Sequence, residues 1–325
     1  MTTTNIKKDL NNIELTKLAA KNLGLKTETL HSSPKKTLLY VTDGSTFYLA
    51  SQASPGMFPA ANRWNAHFSG SKLLAQKILK RLGYNVIPSK EIRVNEFSSA
   101  KALKEKLAEG KFSFPILVKP DKGMNAKNIA ICENHAHLAK VAAGHYRDKK
   151  DFMIQPIISD KVEYRIMIVN NKLVLMHSKD TYHVKGDGKS TIRQLLSEIV
   201  PARTDATCIA WQHKKLGTKA TTILKKDIKF EYHLTKGAVG ASYYKTDKFP
   251  AATKKWALQL AKDISAPVVG LDVFITGENF DNTDKYTIIE VNTNPGLHYF
   301  VGCFNDGKIG LAVFTSVLKD FFKIK

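Results

Sequence analysis

Two dipeptide turns constrain the fold most. Apolar runs flank Asp43-Gly44 in TLLYVTDGSTFYLA, and two more flank Asn170-Asn171 in VEYRIMIVNNKLVLMHS. Asp-Gly and Asn-Asn tolerate the positive φ that tight hairpins need, so each pair of runs is expected to fold back as an antiparallel hairpin. Between them lie helical stripes with stop and start signals. Residues 9–24 end at Gly24. Residues 71–83 open at the cap candidate Ser71, carry Leu73, Leu74, Ile78, Leu79 and Leu82, and end at Gly83. Residues 98–110 open at Ser98 or Ser99 and end at Gly110. Further helices are predicted at 134–147, after the glycine turn of HVKGDGKSTIRQLLSEI, near 207–217, at 251–266 and from Gly310 to the end. Further strands are predicted at Asn85–Ile87 and in FPILVKP, IAIC, FMIQPII, HVK, PVVGLDVFIT and KYTIIEVNTNP. Hairpins mixed with helices point to an α+β chain, not to a repeating βαβ unit.

Composition narrows the function classes. The 325 residues carry a net charge of +21, with lysines spread along the chain in pairs and no block of five like charges. This reads as a lysine-rich surface, with a funnel for anionic small substrates as a second reading. A nucleic-acid-binding protein is an alternative that rests on charge alone, since no zinc finger or RNA-binding signature is present. Cys132, Cys208 and Cys303 are too few and too scattered for a disulfide framework or a cysteine zinc site. Neither a secretory signal nor a run of membrane-spanning length stands out, so a cytoplasmic protein without membrane contact is expected.

Several catalytic motifs fail. Gly188-Lys189-Ser190 resembles the end of a phosphate-binding P-loop, but His183 stands where the required first glycine would be. H-E-x-x-H, G-x-G-x-x-G and G-x-S-x-G are absent. A different cluster carries chemistry. Lys119 ends the strand ILVK, where it either grips an anion or is merely solvated. Asp272 follows a strand run. Glu290 and Asn292 alternate in IIEVN and therefore share a face. Asp, Glu and Asn oxygens suit Mg²⁺, or else these are solvent-facing positions of a half-buried sheet. Glu163 and Arg165 alternate in the same way, as a cross-strand ion pair would.

The order SK, ILVKP, IQPI, EYR, GLD, EVNTNPG resembles the ATP-grasp superfamily. HVKGDGKSTIRQLL is similar to a segment of its cyanophycin synthetase and bifunctional glutathione synthetase branch. The resemblance covers about residues 70–300. It implies two α+β lobes clamping ATP, 71–160 and 161–325, behind an amino-terminal appendage, 1–70. It implies that Lys72 and Lys119 hold ATP phosphates, that Gln155 and Ile157 lie on the strand reading adenine, and that Glu163 binds ribose. Arg165 and Lys179 would serve the transferred phosphate and acyl group. Asp272, Glu290 and Asn292 would bind Mg²⁺, two ions, or Mn²⁺ in their place. His298 and Arg203 would meet substrate. The implied activity is an ATP-dependent carboxylate–amine ligase acting through an acylphosphate on an amino acid or small peptide, with homo-oligomer formation left open. The chain departs from the pattern in its phosphate loop, DKGMNAKN. Gly123 remains there, but Ala126 and Asn128 replace glycine-like residues. Asn accepts positive φ and Ala does so less readily, so a stiffer loop or a non-catalytic ATP-binding, regulatory module is the alternative.

Overall fold

The computed structural model describes residues 12–33, 36–51, 70–123, 128–158, 161–199, 221–237, 243–244, 251–275, 286–295 and 307–324. The chain divides into two compact units, Met1–Met176 with Tyr244–Lys325, and His177–Tyr243. Among the described residues, no helix is long and apolar enough to cross a membrane.

In the larger unit, α1 (Asn12–Asn22) precedes a three-stranded antiparallel sheet in the order β1 (Lys26–Ser33), β2 (Lys36–Thr42), β3 (Phe47–Ser51). Gly24 stops α1 at φ +71°, and Gly44, at φ +100°, turns the β2–β3 connection. There Asp43 Oδ1 accepts the backbone N–H groups of Ser45 and Thr46.

Helix α2 (Lys72–Arg81) is capped by Ser71, whose Oγ accepts Leu74 N at 3.1 Å. A four-stranded antiparallel sheet follows, in the order β4 (Lys90–Ile92), β7 (Phe152–Pro156), β5 (Ile116–Pro120), β6 (Ala130–Cys132). Its helices are α3 (Ala100–Ala108), capped by Ser99, and α4 (His135–Arg147), capped by Asn134. Ile116, Val118, Phe152 and Ile154 pack with Leu103, Leu107, Leu138 and Ala142 in one core. Strand alternation therefore sends Leu117, Lys119, Met153 and Gln155 to the opposite face.

The second large sheet is built around β8 (Val162–Val169), β12 (Val268–Ile275) and β13 (Tyr286–Asn292), with the opening residues of β9 (Lys172–Lys185) beyond β8. Asn170 and Asn171 take φ of +47° and +60° between β8 and β9, the conformation expected of that hairpin. Ile166, Ile168, Val269, Leu271, Ile288 and Val291 pack on Ala75 and Leu79 of α2 and on Trp256 and Leu260 of α6 (Ala251–Asp263). Met167, Val169 and Val268 share a separate core with α1, β2, β3 and α7 (Gly307–Phe322). The appendage thus carries three strands and not a hairpin alone, and it shares a core with the last helix.

In the smaller unit, the far half of β9 pairs with β10 (Lys229–Gly237), and β11 (Tyr243–Tyr244) lies at its boundary. Val184, Leu224 and Phe230 cover α5 (Ile192–Ile199) through Ile192 and Leu195. The GDGKST segment is a helix start. Asp187 Oδ1 accepts Lys189 N and Ser190 N at 2.8 and 2.7 Å, and Thr191 and Gln194 cap each other reciprocally. Gly186 is obligatory there, because a Cβ would lie 2.1 Å from the Lys225 carbonyl.

One predicted strand is reduced: Asn85–Ile87 contributes only a single bridge, Val86 to Ile288, next to Ile288 N–H bonded to the Asn85 carbonyl. The helix predicted near 207–217 lies outside the described residues.

Candidate functional site

The site is built on a row of charges across three strands. Arg165 on β8 stands opposite Asp272 on β12, and Asp272 stands opposite Glu290 on β13. The Arg165 guanidinium grips Asp272 with two bonds, Nε to Oδ1 and Nη2 to Oδ2, the latter at 2.9 Å. The expected alternation of Glu163 and Arg165 is present, but the partner of Arg165 is the carboxylate on the next strand. Burial would lower the proton affinity of Arg165. The Asp272 carboxylate outweighs that, with help from Glu290 and Glu163, and holds the guanidinium charged.

Two local devices make the row fit. Gly270 is the first: a Cβ there would lie 3.0 Å from Nη1 of Arg165 and 3.1 Å from both Met167 Sδ and Pro295 Cβ. The second is a bulge. Asp272 pairs with Glu290 but Val273 pairs with Ile288, so Ile289 is the extra residue of β13. The bulge shifts the strand's phase. Ile288 and Val291, three apart, both reach one core, while Glu290 and Asn292 turn to the other face. Asn292 stands opposite Gly270 and accepts Asn294 N–H at 3.0 Å.

Two lysines meet this row. Lys119 projects from β5 on the sheet face away from its helices and is only 4% exposed. Burial, and then the like charge of Lys72, lower its pKa to about 8, against the pull of Glu290, Glu163 and Asp272. Lys72, the first residue of α2, donates from Nζ to the Gly123 carbonyl at 2.8 Å and lies 3.8 Å from Glu290. Gly123 opens the loop after β5 at φ +148°, and Asn128 closes it at φ +62°, so Asn does substitute geometrically for glycine. Ala126 lies outside the described residues.

Gln155 is buried on the same sheet face as Lys119. Its amide donates to Ser89 Oγ at 2.6 Å, and Ser89 donates to Gln76 Oε1 on α2. Ile157, two residues on, is exposed.

The structure thus brings together Lys72, Lys119, Glu163, Arg165, Asp272 and Glu290, with Asn292 on the same face and Gln155 beside Lys119. Lys179 belongs to the smaller unit, and Arg203 and His298 lie outside the described residues. Sequence reading missed Gly270 and Asp121. Asp121 follows the strand-end Lys-Pro and ties that strand to α2 (Leu73 N to Oδ1, 2.9 Å); neither role shows in spacing.

Among the described residues, no group of three or more His, Cys, Asp or Glu side chains is arranged to hold a metal. The oxygen set available to a hard cation is two facing carboxylates and one amide oxygen, in chemistry that suits Mg²⁺.

No protein-family profile matches the chain. The glutathione biosynthesis bifunctional protein of Desulfotalea psychrophila is 26% identical over 70% of this chain and 31% of its own length. The cyanophycin synthetase of Geminocystis herdmanii is 26% identical over 58% of this chain and 24% of its own. The chain therefore spans less than a third of either relative. A crystal structure of a bifunctional glutathione synthetase from Pasteurella multocida superposes with a TM-score of 0.58 at 17% identity, covering 97% of this chain and 44% of that one. By sequence and fold together, the chain is a relative of the bifunctional glutathione synthetases and cyanophycin synthetases and carries the ATP-grasp fold.

Proposed function

We propose that the protein is an ATP-dependent carboxylate–amine ligase acting on an amino acid or small peptide. One observation carries the reading: Lys72, Lys119 and Arg165 converge on Glu163, Asp272 and Glu290 in a cluster whose Lys119 and Asp272 are buried. In this reading the substrate carboxylate attacks the γ-phosphorus of ATP, and the bond to the bridging oxygen breaks, giving an acylphosphate and ADP. The amine then attacks the acyl carbon, loses a proton and expels phosphate, leaving an amide. Lys72 and Lys119 hold phosphate oxygens, and Arg165 faces the transferred group. Catalysis by such parts is positioning and electrostatics, and one fixed donor in a dry site is worth about 3–4 kcal/mol of barrier.

Asp272, Glu290 and Asn292 would hold Mg²⁺, which when bound neutralises charge on the phosphate oxygens. Asp272 would do so while shared with Arg165. Gln155 and Ile157 would border the base and Glu163 the ribose, and Lys179 would serve the acyl group. A division into appendage (1–70), amino-terminal lobe (71–160) and carboxy-terminal lobe (161–325) belongs to the same proposal.

The test is phosphate release from ATP across a panel of amino acids and dipeptides, with hydroxylamine trapping any acylphosphate. Release that depends on one carboxylate, and a hydroxamate of that acid, is expected. ATP binding with no release under any pairing would instead make the chain a non-catalytic binding module. Glu290→Gln is expected to lower turnover by about 100-fold or more with an unchanged thermal midpoint; full activity in the folded variant would remove Glu290 from the metal set.

A further inference from the structure

We propose that Asp121 is a positioning residue that fixes the spacing of Lys72 and Lys119, so that a bound nucleotide's phosphates meet both lysines at once. The inference rests on the nucleotide-binding part of the proposed function and assigns a role to a residue outside the charge row.

Asp121 lies two residues beyond Lys119, just past the end of β5, and is buried. All its bonds run to other elements. Oδ1 accepts Ser71 Oγ at 2.8 Å and Leu73 N at 2.9 Å. Its carbonyl accepts Lys72 N at 3.2 Å, and its own N–H donates to the Asp151 carbonyl, one residue before β7, at 2.9 Å. One residue thereby ties the strand bearing Lys119, the neighbouring strand bearing Gln155, and the first turn of α2, where Lys72 is the first helical residue.

These bonds also settle what the helix end can do. The first N–H groups of a helix have no partner within it and attract anions. Here Lys72 N and Leu73 N are taken by Asp121, and Leu74 N by Ser71 Oγ. The first turn is already occupied by the protein's own carboxylate and cap. Positive charge reaches a ligand through the lysine side chains and not through the helix end.

The need for such a tie is electrostatic. Lys72 and Lys119 carry like charges close enough to act on one another, and two cations drift apart unless their backbones are fixed. The hold on Lys72 through Gly123 and Glu290 acts at the far end of a flexible side chain. Asp121 acts at the near end, on the backbone, where it sets the direction from which that side chain starts. A polyphosphate gains from both lysines only if their spacing is set before it arrives.

The test is isothermal titration of wild type, Asp121→Ala, Asp121→Asn and Ser71→Ala with ATP–Mg²⁺ and with adenosine. Asp121→Ala is expected to weaken ATP by about tenfold or more and to leave adenosine within about twofold. Asp121→Asn keeps an acceptor at Oδ1 and is expected to restore ATP binding to within about threefold of wild type. Unchanged ATP affinity in Asp121→Ala, an equal loss for ATP and adenosine, or an Asn variant as poor as the Ala variant would each overturn the inference. If Asp121→Ala does not fold, Ser71→Ala, which removes one of the two side-chain bonds, must lower the ATP-to-adenosine affinity ratio; a ratio equal to wild type overturns it. A wild-type protein that binds no ATP overturns the proposed function itself, whereas ATP binding indifferent to Asp121 overturns only this inference.

Discussion

Lys119 gives the residue scale its sharpest expectation. With a pKa near 8 its ammonium is lost as pH rises from 7 to 9, and with it, on the proposed function, one grip on phosphate. ATP affinity of the free protein, measured calorimetrically, is expected to fall above pH 8 and to approach about a tenfold loss per unit. Stability moves the other way. The folded pKa lies below the unfolded one, so the folded state binds fewer protons between about 8 and 10.4, and this group's contribution to stability rises with pH over that window. Weaker binding is thus separable from unfolding, and Lys119→Arg should bind ATP with no such pH slope. At Gly270, substitution by Ala puts a methyl 3.0 Å from the Arg165 guanidinium; a loss of about 1–3 kcal/mol in urea unfolding is expected, and an unchanged midpoint would mean that the Arg165–Asp272 pair can shift. Period-two alternation made Glu290 with Asn292, and Glu163 with Arg165, legible as shared faces. Asp121 and Gly270 were not legible, because one acts through bonds to residues some fifty positions away and the other by having no side chain.

Among the elements, β13 repays attention. Its bulge lets one strand serve a core and a charge row that a regular strand would serve in conflicting phase. Deleting Ile289 leaves Ile288 and Val291 two apart and Glu290 between them, the phase of a regular strand, so the core and the Asp272–Glu290 pairing keep step; a folded variant with a thermal midpoint near that of wild type is expected, and a large drop would mean that Ile289 does more than set the phase. Helix α4 carries a second titrating feature. His145 is buried and stacked on Phe152 with ring centroids 4.7 Å apart. Burial lowers its pKa, with Asp148 opposing and Lys150 assisting. Its contribution is present above the unfolded value near 6.5 and is lost as pH falls below it. Urea midpoints at pH 7.5 and 5 should therefore diverge in wild type and converge in His145→Phe. The capped helices and both turn-marked hairpins could be read from local signals, since Ser71, Ser99, Asn134 and Asn170-Asn171 act on their own neighbours. The bulge was not, because only pairing with β12 shows which residue is extra. Strand β1 was also missed: KTETLHSS has no apolar run, and Lys26–Glu28 and Leu30 are exposed.

At the scale of the molecule, the shared core of α1, β2, β3 and α7 joins the two ends of the chain. Removing α7 from Gly307 onward takes Val313, Phe314, Val317 and Leu318 out of that core. The truncated chain is expected to lose cooperative unfolding, as followed by circular dichroism. Sequence order alone pointed to the ATP-grasp fold through motifs scattered from residue 71 to 296, yet it gave no sign that the appendage and the last helix are one packing unit, since burial against a distant partner leaves no local trace.

The charge cluster has a further consequence. Lys72, Lys119 and Arg165 face Glu163, Asp272 and Glu290, three basic side chains against three acidic ones, so the formal +21 of the chain is carried by residues elsewhere. A balanced cluster favours neither a lone polyanion nor a lone divalent cation, because either leaves an uncompensated charge beside the buried Lys119 and Asp272. Bound together they offset part of each other's charge. On the proposed function, nucleotide and metal should then be thermodynamically linked, each tightening the other by the same factor.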